Sequence, residues 1–211
     1  EADPERGLLG VDPPTTHRRG TYRTERDGDG DGVGGRVVGK GPVGLVYAGA
    51  MARISFPEVG LGEHVDWAVQ RPEMAMGMGK LSEAVYGHSQ LPVREREAAR
   101  YVIALVNHCA VCQDTRAEKG PQEGIDEAFY AAIADWRASE SLTDRERLAA
   151  EFAERFALDH QTMDDEFFDR MRTGFADDEL ADLVICCGMW LGMGRAMAVV
   201  GVPAPEERLL V

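Results

Sequence analysis

Residues 91–113, LPVREREAARYVIALVNHCAVCQ, decide how the rest of the chain is read. Pro92 stands where a helix begins, and charged residues fill the first turn. Apolar side chains at 98, 101, 102, 105 and 109 then form one stripe at helical spacing. The stretch predicts a helix over 91–109. A CxxC pair, Cys109 and Cys112, sits where that helix would end.

The other segments from Met51 onward also read as helices. Residues 71–87 begin beside Pro72 and end at Gly87. Residues 124–136 place Ile125, Phe129, Ile133 and Trp136 on one face. Residues 141–160 open with a Thr143–Glu146 capping box, and Leu148, Phe152 and Phe156 recur every four. Residues 164–174 form a short element that stops at Gly174. Residues 177–201 begin with acids, end at Gly201 and are apolar nearly all round in the middle, which predicts a central buried helix. Period-two alternation is confined to MARISF (51–56). The expected fold is therefore all-α, a bundle of about six helices.

Residues 1–50 differ from this domain, which spans 51–211. They hold 12 of the 24 glycines and 4 of the 10 prolines. Such a segment buries too little apolar surface to offset its ordering entropy, so a disordered tail is expected. The first methionine is Met51, and the tail reads as an extension upstream of a start there. Two motif-like stretches lie in it. DGDGDG (27–32) resembles a calcium loop, but its twelfth position is Val38 rather than Glu. Gly34, Gly39 and Lys40 have P-loop spacing, but Gly41 follows instead of Ser or Thr.

The formal net charge of −14 argues against binding to nucleic acid or to an anionic membrane surface. The apolar run at 180–194 carries Asp182 and falls short of a membrane span. Four cysteines (109, 112, 186, 187) do not make a disulfide scaffold, and the composition suits the reducing cytoplasm. There a CxxC binds metal or does redox chemistry.

Haem attachment needs His directly after the second cysteine, where this chain has Gln113. Zinc needs four ligands, and the adjacent Cys186 and Cys187 diverge by about 100° on a helix. No strand–helix unit of thioredoxin type surrounds the motif. A dithiol redox site in a helical protein remains. It needs an ionised thiol, a second thiol within reach and a proton acceptor. A helix break before the motif would put it at a helix N-terminus, with Arg116 adding positive charge. Glu97 and Glu95 are the upstream acid–base candidates. His64 and His88 read as surface or loop histidines, Cys186 and Cys187 as packing residues. Gly188, Gly192 and Gly194 read as sites of close helix approach, and some of Met74, Met76 and Met78 as subunit contacts. No metal or cofactor is expected.

Glu97, eleven residues, Cys109, two residues, Cys112 resembles the opening of the signature of alkylhydroperoxidase D-like (AhpD-like) proteins, within the carboxymuconolactone decarboxylase superfamily. The segment 175–201 is similar to that family's closing helix. The resemblance covers roughly residues 60–201. It implies an all-α fold assembled as homotrimers or homohexamers. It also implies reduction of organic hydroperoxides, with the resulting disulfide reduced by a thiol or lipoyl-bearing protein. Carried onto this chain, Cys112 attacks the peroxide, Cys109 resolves the sulfenic acid to a disulfide, and Glu97 relays protons.

The family pattern has His where this chain has Arg116, and a guanidinium holds its proton near neutral pH. Arg116 could still steady a thiolate or bind an anion. His108 is the substitute imidazole expected from spacing, about 20° from Glu97 around an ideal helix. Two rival readings differ in class. One is a carboxymuconolactone decarboxylase-type lyase acting on a small lactone acid, with Arg116 clamping its carboxylate. The other is a non-enzymatic helical redox sensor.

Overall fold

The computed structural model describes residues 52–211, so the expected disordered tail and both motif-like stretches lie outside the described residues. The fold is all-α. Among the described residues, eight α-helices follow one another: α1 (Glu63–Val69), α2 (Pro72–His88), α3 (Val93–Val106), α4 (Ala110–Asp114), α5 (Glu127–Ala134), α6 (Asp144–Leu158), α7 (Asp165–Met171) and α8 (Asp177–Val200). The two beyond the expected six are short: α1, and α4, which carries the second cysteine. MARISF contributes no strand.

Helix α3 is the axis of the bundle. Ala98, Ala99, Val102, Ile103 and Ala104 are all buried, so it meets neighbours on several sides. Its most extensive packing is against α6, with α8 and α5 on its other sides. The expected stripe on α6 is only partly right. Phe152 is fully buried, but Leu148 and Phe156 are at the margin, and Ala149, Ala150 and Ala153 complete the buried face. Small residues on both helices let their axes approach closely. Thr143 and Glu146 form the expected capping box, and Glu146 also pairs with Arg94 of α3 at 2.5 Å. Ile125, Phe129 and Ile133 are buried as expected, whereas Trp136 lies beyond the end of α5 and is only half-buried.

Helix α8 is not buried all round. Leu180, Leu183, Cys186, Cys187, Met189, Trp190 and Gly194 face inward, while Val184, Ile185 and Val199 are exposed. At 24 residues it is, by length and composition alone, apolar enough to cross a bilayer, contrary to the expectation from its apolar run. Its inner face instead packs against α3, α2, α6 and α4. Its last carbonyls are held by Arg53, whose guanidinium donates to Ala198 O (2.8 Å) and Val199 O (2.7 Å).

The end of α3 positions the cysteines. The helix stops at Val106, three residues earlier than predicted. His108 takes a left-handed conformation (φ 50°) that turns the chain, and Cys109 then caps α4. Further on, residues 116–118 run beside 209–211. The Arg116 N–H donates to Leu209 O, and Val211 and Glu118 complete the pairing.

The Ala-lined packing of α3 and α6 leaves no room for added methylenes. Ala150→Leu is expected to destabilise the protein by about 1–3 kcal/mol in chemical denaturation. An unchanged midpoint would show that α6 has slack at this position.

Candidate functional site

Cys109 and Cys112 are joined as a disulfide across the first turn of α4, their Cα atoms 5.3 Å apart. Their environments differ. Cys109 is buried, in a small apolar cluster with Val111 and Val202, and its sulfur accepts the Cys112 N–H at 3.2 Å. Cys112 is half-buried and lines a cavity of about 370 Å³. Trp67, Met78, Trp190, Met193 and Met197 give that cavity a largely apolar wall. Its remaining lining comes from α1, α2, α3, α4, α8, Thr115 and residues 209–211.

The other two cysteines are packing residues, as expected. Cys186 and Cys187 are buried on α8. Burial, reinforced by the neighbouring Asp182, pushes the Cys186 thiol up to about 12. Burial holds Cys187 well above the usual thiol range. Neither supplies a thiolate near neutral pH.

Glu97 lies behind the cysteine turn and not on the cavity wall. It is fully buried, and the guanidinium of Arg100 grips it at both oxygens, Nε to Oε1 at 2.8 Å and Nη2 to Oε2 at 2.9 Å. The Tyr130 hydroxyl donates to Oε2 at 2.8 Å. Arg100 also donates to Cys112 O at 2.7 Å and Thr115 O at 3.0 Å. One guanidinium thus links the carboxylate to the carbonyls of α4. Burial opposes the charge on Arg100, but the charge and hydrogen bonds of Glu97 outweigh it and raise its pKa. Burial, and then the charge of Glu97, push the Tyr130 hydroxyl up to about 12, so it remains a donor. Glu95, the other upstream carboxylate, pairs instead with Arg145 at 2.9 Å.

Two sequence-selected residues stand elsewhere. His108 is exposed in the left-handed turn and does not line the cavity, because α3 ends before the spacing that would align it with Glu97. Arg116 is mostly buried but engaged. It grips Glu127 at 2.9 and 2.8 Å, donates to Gln113 O, and lies over the Tyr130 ring 4.2 Å from its centroid. It does not line the cavity either. The structure therefore brings together Cys109, Cys112 and Glu97, but neither His108 nor Arg116 reaches the cavity.

Several residues of the site escaped the sequence reading. Arg100 had a signal: a charge inside the run AARYVIALV, three residues from Glu97. Asn107 is buried at the helix break and docks it onto α8, donating to Trp190 O and Leu191 O while accepting from Arg195 Nε. Gly194 permits that approach. A Cβ there would lie 2.9 Å from Asn107 Nδ2 and 3.2 Å from the Cys112 sulfur. Gly188 and Gly192, expected to act likewise, face open space. His64, read as a surface or loop residue, lines the cavity. Among the described residues, no group of three or more His, Cys, Asp and Glu side chains forms a metal-binding arrangement.

Removing one partner of a buried ion pair strands the other. Glu97→Ala is expected to cost roughly 3–5 kcal/mol in denaturant unfolding. A loss below about 1 kcal/mol, the range of exposed pairs, would contradict this geometry. Gly194→Val is expected to slow alkylation of reduced Cys112 while Cys186 and Cys187 stay unreactive. Unchanged Cys112 alkylation would contradict the close approach of α8.

Residues 72–155 match the sequence profile of the carboxymuconolactone decarboxylase family. The uncharacterized protein YnjA of Escherichia coli K12 is 31% identical over 122 residues, covering 55% of this chain and 66% of YnjA. A crystal structure of an Agrobacterium tumefaciens protein of unknown function, itself regarded as a candidate AhpD antioxidant defence protein, superposes with a TM-score of 0.61. It is 22% identical and covers 67% of this chain and 97% of its own. Residues 72–155 thus carry the sequence pattern of the carboxymuconolactone decarboxylase family, the chain spans just under two thirds of YnjA, and the Agrobacterium protein shares its all-α fold.

Proposed function

We propose that the protein is a CxxC-dependent peroxidase that reduces organic hydroperoxides. The observation that carries this reading is the asymmetry of the pair: Cys112 faces an apolar cavity, and its disulfide partner Cys109 is buried behind it. An apolar wall suits the alkyl group of a hydroperoxide better than a small lactone acid. Arg116, the residue that favoured a lyase, is engaged with Glu127 away from the cavity.

The reaction balances as follows. The Cys112 thiolate attacks the terminal peroxide oxygen, the O–O bond breaks, and an alkoxide leaves and takes up a proton. Cys112 becomes a sulfenic acid. The Cys109 thiolate then attacks the Cys112 sulfur, forming the disulfide and releasing the hydroxyl as water. A thiol or lipoyl-bearing protein reduces the disulfide, giving up two electrons and becoming a disulfide itself. Glu97 serves this cycle by holding Arg100, which holds the α4 carbonyls. A cytoplasmic setting would keep the resting pair reduced.

We also propose that the assembly is a homotrimer or homohexamer. Ile185 and Val199, with Gly188 and Gly192 open between them, give α8 an outer apolar face that suits a second copy of the chain.

Two measurements test these readings. With cumene hydroperoxide and dihydrolipoamide, wild type is expected to turn over, Cys112→Ser to be inactive and Cys109→Ser to stall after one oxidation. Equal peroxide consumption by all three would exclude a dithiol peroxidase. A wild type that oxidises once and never turns over with reductant would favour the sensor reading. In sedimentation, wild type is expected as three or six copies and Ile185→Glu as smaller species. A monomeric wild type would refute the assembly.

A further inference from the structure

The peroxidase reading leaves one chemical requirement without a residue. The alkoxide that leaves the peroxide is a strong base and needs a proton as the O–O bond breaks. Glu97 does not line the cavity and is enclosed by Arg100 and Tyr130. Arg116 and His108 do not line it either. Of the side chains that do, Arg100 is a cation held by Glu97, and it keeps its protons. Tyr86 accepts the Trp190 indole N–H at 3.1 Å, and burial raises its hydroxyl above the usual range.

His64 remains. It stands in the first turn of α1 and lines the cavity that Cys112 lines. Its Nδ1 is closed to solvent and has no hydrogen-bond partner. A buried, unpaired polar atom is costly, and the ring that carries it lines the cavity. The ring is seated by Gly62, the residue that caps α1. A Cβ at Gly62 would lie 2.8 Å from His64 Cε1 and 2.9 Å from Nδ1. Gly62 has φ 89°, which other residues rarely adopt, so the seat suits glycine on two counts.

The charged groups around the ring are few. Asp66, on the same helix, accepts the Val59 and Leu61 amides at 3.2 Å. Glu63 precedes it in the same turn. Across the cavity, α2 presents Tyr86, α3 presents Arg100, α4 presents Cys112, and α8 presents apolar side chains. Burial lowers the imidazole below 6.5, with the Asp66 charge pulling the other way. An imidazole can take up one proton and return it.

We propose that His64 is a catalytic residue of the dithiol site, the proton relay that spans the peroxide cavity; this rests on the peroxidase reading. It takes the proton released when the Cys112 thiol ionises and becomes an imidazolium. Cys112 attacks the terminal oxygen and keeps it as sulfenic acid. The imidazolium then gives its proton to the leaving alkoxide, which departs as the alcohol, and His64 is neutral again. Where the leaving group is a weak base its protonation is unnecessary, and the thiol proton can pass to solvent instead.

That dependence supplies the test. Reduced wild type, His64→Gln and His64→Asn are mixed with cumene hydroperoxide or with peracetic acid, and the loss of thiols is followed in a single turnover. Peracetic acid expels acetate, which needs no proton. Both variants are expected to react about 100-fold more slowly than wild type with cumene hydroperoxide, and at nearly the wild-type rate with peracetic acid. The same two thiols are consumed throughout, and retained peracid reactivity certifies that the variants are folded. Equal slowing with both oxidants, or no slowing with either, overturns the role of His64 while the dithiol chemistry stands. A wild type inert to both oxidants overturns the peroxidase reading, and the relay with it.

Discussion

The buried ion pair of Glu97 and Arg100 is the interaction on which the site depends. Taking both charges out of water is expensive, and it is tolerated here because every neighbouring group answers one of them. Glu97 receives two guanidinium bonds and the Tyr130 hydroxyl, and Arg100 spends further donors on the carbonyls of Cys112 and Thr115. The pair joins α3, the cysteine turn and α5 in one network. It fixes α4 with Cys109 inward and Cys112 towards the cavity. Asn107 and Gly194 complete the restraint from the side of α8.

Environment separates the two cysteine pairs of the chain. Cys186 and Cys187 are adjacent on one helix, buried and held as thiols. Cys109 and Cys112 are separated by one turn at a helix start, close enough to bond, with one sulfur open to a ligand-sized cavity. Arg116, where the resembled family pattern has His, also has a structural role here. Arg116 joins the Glu127 carboxylate to the Tyr130 ring and anchors the segment 209–211 through its backbone. The position is a strut, and the imidazole that lines the Cys112 cavity is His64 of α1.

Much of the architecture was legible in the sequence because it rests on local rules. Pro72 and Pro92 mark helix starts, Thr143 and Glu146 form their capping box, and Ile125, Phe129 and Ile133 fall on one buried face. Local rules failed where tertiary contact decides. The periodicity of 91–109 ran straight through the turn at His108, so that residue was aligned with Glu97 on a helix that had already ended. The hydrophobicity of α8 gave no sign of which face is covered. The cysteines stand out by their spacing, and Glu97 is preferred to Glu95 through the family resemblance. Arg100 and His64 were missed because their roles arise from what folds against them: carbonyls of another helix for one, a cavity wall for the other.

The central claim is that this network turns Cys112, and not Cys109, towards the peroxide. Trapping sulfenic acid with dimedone measures it directly. Single-cysteine variants Cys109→Ser and Cys112→Ser are each treated with one equivalent of cumene hydroperoxide and dimedone, and the adducts are located by peptide mass spectrometry. The account predicts a stoichiometric adduct on Cys112 in the first variant and none on Cys109 in the second. An adduct on Cys109 that forms as readily as that on Cys112 would contradict it.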